Sequence, residues 1–93
     1  MRREETIKRI KEILTTHRIP HAYLFGSFAR KERSYKDIDI AIEKPAGKFS
    51  LFDLVGIQQE LEDSTGKKVD VVIYHSIKPR IKENIKKDLR PLL

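Results

Sequence analysis

Cysteine is absent from all 93 residues. That removes any disulfide framework and any thiolate-held zinc, and it fits a reducing compartment. Tryptophan is also absent and aromatics make up 8% of the chain. Tyr23, Phe25, Phe28, Tyr35, Phe49, Phe52 and Tyr74 mostly fall at expected core positions. They are not interleaved with a basic patch, which weighs against base stacking as the means of binding nucleic acid. No apolar run approaches the ~20 residues that span a bilayer, and the Arg-rich start continues into charged residues instead of a signal-type apolar block. A cytoplasmic location without a membrane partner is expected. Linkers, repeats and low-complexity tracts are missing as well, and a chain this short fills one core. Residues 1–93 are read as a single domain with little room for a separate pocket around a bulky second substrate.

What the chain has in quantity is charge: 20 Lys and Arg against 14 Asp and Glu, a net charge of +6 and a pI near 9.7. Such a balance favours anionic partners, nucleotides or nucleic acid. Abundant Lys, Arg, Glu and Ile with few Asn and Gln is equally the composition of surface ion-pair networks in hot-adapted proteins. Both readings stand on composition alone.

Apolar residues at Ile7, Ile10 and Leu14 form one stripe of a helix over Arg2 to His17, with Glu4 and Glu5 near its positive end and Pro20 after its stop. His17 and His21 flank that break and are read as structural. His21 to Phe25 is a short buried strand bounded by Pro20 and Gly26. Gly26-Ser27 then turns the chain into a helical turn or two over Phe28 to Arg33. There Gly26 permits close backbone approach and Ser27 is positioned to cap the helix start. Strand, glycine turn and helix N-terminus together make an anion cradle; alone, a Gly-Ser pair marks turns of every kind.

Ser34-Tyr35-Lys36 leads into a second strand, Asp37 to Ile42. Side chains alternate faces along a strand, so Asp37 and Asp39 point the same way, ~7 Å apart along the backbone, and Ile38, Ile40 and Ile42 point the other way. Two carboxylates side by side repel unless cations neutralise them, and oxygen ligands suit Mg²⁺ or Mn²⁺. A helix from a capping-box-like Ser50-Leu51-Phe52-Asp53 carries Leu54, Ile57 and Leu61 to about Asp63, with Gly66 as its C-terminal cap. Val69 to Tyr74 is a β-branched strand interrupted by Asp70. A carboxylate there needs a partner, either the metal beside Asp37 and Asp39 or, if Asp70 sits at the strand's exposed mouth, a turn to cap. Ile81, Ile85 and Leu89 mark a last helix over Lys78 to Leu89. Lys82, Lys86, Lys87 and Arg90 lie on its solvated face, and Pro91-Leu92-Leu93 forms a tail.

Gly26-Ser27-Phe28-Ala29-Arg30, Asp37-Ile38-Asp39-Ile40 and Val69-Asp70-Val71-Val72, in this order and covering nearly the whole chain, resemble the minimal nucleotidyltransferases of the DNA polymerase beta-like superfamily. These are stand-alone domains often encoded beside HEPN-domain proteins. Two features depart from the pattern: nine residues separate Ser27 from Asp37 where about ten are common, and Lys36 stands where a serine usually precedes the first aspartate. The resemblance implies an α/β (α+β) fold, a small mixed sheet of about three or more strands with helices packed on it. It implies that Asp37 and Asp39 hold two Mg²⁺ (or Mn²⁺) ions with Asp70 on the one nearest the attacking hydroxyl. Gly26 and Ser27 would hold the β- and γ-phosphates of ATP, and Arg30 would make a phosphate or structural contact.

The expected activity is transfer of a nucleoside monophosphate, AMP from ATP, to a hydroxyl on a partner protein. By resemblance that partner is a HEPN toxin, with which the chain could form a hetero-oligomer as its antitoxin. Small size favours a macromolecular acceptor that itself supplies the missing half of the site, and the lack of an extra acceptor domain in the sequence weighs against transfer to RNA or to an aminoglycoside-like molecule. The rivals are an antitoxin that neutralises by contact alone, against which the complete set of aspartates argues, and a basic nucleic-acid-binding module.

Overall fold

In the computed structural model, residues 2–33, 35 and 37–93 are described. Ser34 and Lys36, expected in the turn before the second strand, lie outside them. Helix α1 (Arg3–Thr16) buries Thr6, Ile10 and Leu14, and Ile7 packs at the edge of the core. Its C-terminal end is tied to the helix over Leu51–Thr65, here α3, by His17, whose Nε2 lies 2.6 Å from Glu60 Oε2. That accounts for one of the two flanking histidines as structural.

Strand β1 (Ala22–Phe25) pairs antiparallel with β2 (Asp37–Ile42), and β2 pairs parallel with β3 (Lys68–Ile73). The sheet order is β3-β2-β1-β4, so β2 is central. Ile38, Ile40 and Ile42 have no exposed surface. They meet Ile10, Leu14, Ile57 and Leu61 in one core beneath α1 and α3. The mixed sheet with packed helices is the architecture expected.

Helix α3 begins at a full capping box. The Ser50 hydroxyl accepts the Asp53 N–H, and the Asp53 carboxylate accepts the Ser50 N–H at 2.7 Å. It ends at Gly66, left-handed with φ 70°. Two side chains of α3 also protect the outer edge of β3: Val69 N–H donates to Glu62 Oε2 and Val71 N–H to Gln58 Oε1, each at 3.0 Å. Backbone donors that an incoming strand would pair with are thereby used internally.

The C-terminal segment departs from expectation. The last helix, α4, covers Pro79–Ile85 only and gives way to a 3₁₀ turn over Lys86–Asp88. Arg90–Pro91 then forms β4, pairing with β1 through Tyr23 and Leu24. What looked like a tail is an edge strand, and Leu92 is buried behind it. The backbone N–H groups of Leu92 and Leu93 both reach the Ala22 carbonyl. Pro91 suits this place, since a proline is tolerated on an edge strand and blocks its extension. Phe52, expected in the core, is 88% exposed.

Candidate active site

Parallel register sets Asp39 directly opposite Asp70, and antiparallel register sets Phe25, the residue before the glycine turn, opposite Asp39 on its other side. Residues in register share a face, so three neighbouring strands bring Asp39, Asp70 and the mouth of the Gly26 turn together. Asp37 lies two residues along β2 on the same face, opposite Lys68. All three aspartates are half-buried, open to solvent on the site side while the alternate residues fill the core.

The turn itself is tighter than the sequence suggested. Helix α2 is a single turn over Gly26–Ala29, capped by the extended backbone of Phe25 without a side-chain hydrogen bond. Ser27 is therefore inside the turn and does not cap it. Gly26 has φ +74°, a conformation costly for residues with a Cβ. A Cβ at Gly26 would overlap Asp39 Oδ2 and come within 3.3 Å of Asp39 Cγ. Only glycine lets the turn lie against that carboxylate. Lys31, at φ 61°, bends the chain away after the Arg30 and Lys31 N–H groups have closed onto the carbonyls of Gly26 and Phe28.

Negative charge predominates at this point. Burial pushes the Asp39 carboxyl above the usual carboxylate range, and the negative charges of Asp70 and then Asp37 push it further; Arg30 pulls modestly the other way. Among the described residues, no three acidic or imidazole side chains are drawn together into a closed metal shell. The donor set is nonetheless one of hard carboxylate oxygens, which matches Mg²⁺ or Mn²⁺ and not a thiophilic metal.

Arg30 is held in an ion-pair relay, its Nε 2.7 Å from Glu32 Oε2 and its Nη1 2.9 Å from Asp88 Oδ2. In this arrangement it is a structural contact that fastens the end of α2 to the C-terminal 3₁₀ turn. Arg3 has a comparable role that was not foreseen. Its guanidinium donates to the Phe28 carbonyl and lies 4.4 Å from the centre of the Phe28 ring, so α1 pins the glycine turn from outside. Nothing in the sequence links positions 3 and 28. Lys68 could have been found, because it precedes Asp70 by two residues as Asp37 precedes Asp39, and that spacing puts it on the site face.

Comparison with known proteins gives a consistent set of likenesses. Residues 8–93 match the family model described as polymerase beta, nucleotidyltransferase. A protein of Methanocaldococcus jannaschii named as a protein adenylyltransferase is 46% identical over 82 residues, covering 87% of each chain. A solved structure described as a minimal nucleotidyltransferase superposes with a TM-score of 0.79 at 26% identity, covering 98% of this chain and 96% of that one. A chain from the Shewanella oneidensis complex of tri-AMPylated HEPN toxin with MNT antitoxin superposes with a TM-score of 0.78 at 22% identity. That match covers 99% of this chain and 72% of that one.

Proposed function

Because the chain belongs to the polymerase beta-type nucleotidyltransferase family, we propose that it transfers AMP from ATP to a hydroxyl of a partner protein, a HEPN-type toxin that it thereby silences as antitoxin. The single observation that carries this reading is the register that sets Asp39 against Asp70 with Gly26 packed on the same carboxylate. The 46% identical relative, named for protein adenylylation, supports the choice of AMP and of a protein acceptor.

Asp37, Asp39 and Asp70 would hold the divalent cations, for which their oxygen-rich, electrically unbalanced surroundings are suited. When bound, a pair of such ions offsets the charge of the triphosphate and of the transition state. The chain's own residues do the positioning. Gly26 and Ser27 would grip the β- and γ-phosphates beside the Asp39 carboxylate against which Gly26 packs. Asp70 would orient the acceptor hydroxyl and receive its proton. The hydroxyl oxygen then bonds to the α-phosphorus as the bond from that phosphorus to the α–β bridging oxygen breaks, and pyrophosphate leaves with the bridging electrons. Alignment of these groups accounts for most of the rate in phosphoryl-type transfer. Arg30, fixed by Glu32 and Asp88, would keep the turn in place or, on release from them, meet a phosphate. ATP supply and the absence of cysteine both suit the cytoplasm.

Incubating the chain with α-labelled ATP, Mg²⁺ and the HEPN-domain protein tests this directly. Label should appear on the partner and disappear with Asp39→Ala. Neutralisation of the toxin without any label, at equal strength in wild type and Asp39→Ala, would establish the contact-only antitoxin instead.

A further inference from the structure

One charged side chain on the site face has no part in holding metal, phosphate or turn. Lys68 stands opposite Asp37 in the parallel register, on strands about 4.8 Å apart, and shares the face of Asp70 two residues on. Asp37, Asp39, Asp70 and Lys68 thus form the four corners of one patch, with the Gly26 turn packed against the Asp39 corner. Val69, between Lys68 and Asp70, is wholly buried on the other face, whereas Lys68 is exposed. Its charge is not used within the chain. Among the described residues Lys68 enters no ion pair. The acids of α3 nearest in sequence are engaged elsewhere: Glu62 accepts the Val69 N–H and Asp63 the Gln59 amide. Lys67, the neighbouring cation, lies over the Tyr35 ring at 5.3 Å. The cation whose charge reaches the Asp39 carboxyl is Arg30, at the end of α2.

Which substrate Lys68 faces follows from the geometry of transfer. In an in-line displacement the entering and leaving oxygens lie on opposite sides of the phosphorus. With pyrophosphate leaving toward Gly26 and Ser27, on the β1 side of Asp39, the acceptor enters from the β3 side, over Asp70 and Lys68. Strand β3 is also an edge of the sheet, where a macromolecule can approach. Docking there by strand addition is blocked, because the outward N–H groups of Val69 and Val71 already donate to Glu62 and Gln58. Recognition of the acceptor on this side falls to side chains, and Lys68 is the cation that projects beside Asp70.

We propose that Lys68 determines acceptor specificity: its ammonium holds a carboxylate of the partner beside the hydroxyl that receives AMP, so that acid-flanked hydroxyls are selected. The proposal rests on the transfer reading for the reaction and for the side from which the acceptor enters. An acidic neighbour of the hydroxyl would meet repulsion from Asp37 and Asp70 were no cation at this corner, and a basic neighbour meets Lys68 instead. The same side chain thereby attracts one class of acceptor and rejects the other.

The test follows labelled AMP transfer to the purified HEPN-domain protein, and binding of that protein by calorimetry, in wild type, Lys68→Gln, Lys68→Glu, Lys68→Arg and Lys67→Gln. Binding of a non-hydrolysable ATP analogue with Mg²⁺ is measured alongside. For the partner, kcat/KM should fall about 5-fold in Lys68→Gln and about 20-fold in Lys68→Glu, where repulsion replaces attraction. The loss should lie in KM and not in kcat, with a matching loss of affinity. Lys68→Arg should regain most of it, Lys67→Gln should match wild type, and analogue binding should be the same in all. Mass spectrometry locates the labelled hydroxyl. Changing the partner's nearest acidic residue to its amide should then lower kcat/KM about 5-fold with wild type and no further with Lys68→Gln. Unchanged partner kinetics and affinity in Lys68→Glu overturn the proposal, as do equal effects of the partner substitution in both backgrounds. Weaker analogue binding in the Lys68 variants also overturns it, because the lysine would then serve the triphosphate. Transfer by Asp39→Asn, or none by wild type, would defeat the transfer reading instead. The affinities decide the Lys68 contact even then: lowered in Lys68→Glu it stands, unaltered it falls.

Discussion

Replacing Gly26 by alanine separates backbone strain from crowding of the site, because the chain supplies its own control. Gly26 and Gly66 have almost the same conformation, φ 74° and 70°, but a Cβ at Gly66 would meet nothing within 4 Å while one at Gly26 overlaps the Asp39 carboxylate. Gly66→Ala should therefore lose only the left-handed penalty, about 1–2 kcal/mol, less about 0.4–1 kcal/mol regained through a stiffer unfolded chain. Gly26→Ala carries the same two effects plus the displacement of Asp39. That residue sits on the central strand between Phe25 and Asp70, flanked by Ile38 and Ile40, which are wholly buried. The backbone cannot yield, so the carboxylate must rotate off its rotamer or the turn must lift, an overpacking cost of about 1–3 kcal/mol.

Urea denaturation of the metal-free proteins should then show Gly26→Ala destabilised by about 2–4 kcal/mol in all, clearly more than Gly66→Ala. In the Asp39→Ala background the excess should vanish, since the group it collides with is gone; that double-mutant cycle isolates the contact. Labelled AMP transfer should fall about 100-fold in Gly26→Ala, the scale of a displacement near 1 Å in a reacting geometry, and stay near wild type in Gly66→Ala. Equal destabilisation of the two variants, or undiminished transfer in Gly26→Ala, would refute the claim that the turn is built against the Asp39 carboxylate.

Asp39→Asn should abolish transfer, by about 10³-fold or more given the scale on which single preorganised electrostatic groups act, yet stabilise the metal-free fold by about 0.5–2 kcal/mol as relief of functional-site strain does. Since the folded state raises the Asp39 carboxyl above its unfolded value, stability from this group is present in acid and lost as pH rises through the folded-state value. Thermal melts of wild type should accordingly gain on Asp39→Asn as pH falls from neutral toward the carboxylate range, and a constant gap between them across pH would contradict this. Arg3→Ala removes a hydrogen bond to the Phe28 carbonyl and a cation–ring contact. It should cost about 1–2 kcal/mol of stability and lower kcat for AMP transfer more than it changes partner affinity, which steady-state kinetics and calorimetry would distinguish.

The aspartate-bearing strands were legible because period-two alternation is a local property. Asp37, Ile38, Asp39 and Ile40 announce a strand with one wet and one buried face whatever surrounds it, and the observed bounds of β2 match those expected. Asp70 was legible as an anomaly, a carboxylate in a β-branched run, and the register sets it beside Asp39. Helix ends with side-chain caps, Ser50 with Asp53 and Gly66, were equally readable. The C-terminal segment was not. Ile81, Ile85 and Leu89 keep helical spacing, but pairing of Arg90–Pro91 with Tyr23 and Leu24 and burial of Leu92 need the backbone to turn at Lys86–Asp88. A long-range pairing with β1 outweighed a weak local preference.

Phe52 shows the same limit in reverse. Its neighbours Leu54 and Ile57 face the core, and hydrophobicity alone placed Phe52 there as well, yet a helix of 3.6 residues per turn turns position 52 away from 54 and 57. The Leu51, Phe52 and Val55 side chains form a second stripe on α3, opposite in sense to the one that folds the protein. A helix with only one buried face has no intramolecular use for apolar groups on the other. In this chain Leu51 shares a small hollow with Leu54 and Ile73, whereas Phe52 turns to solvent.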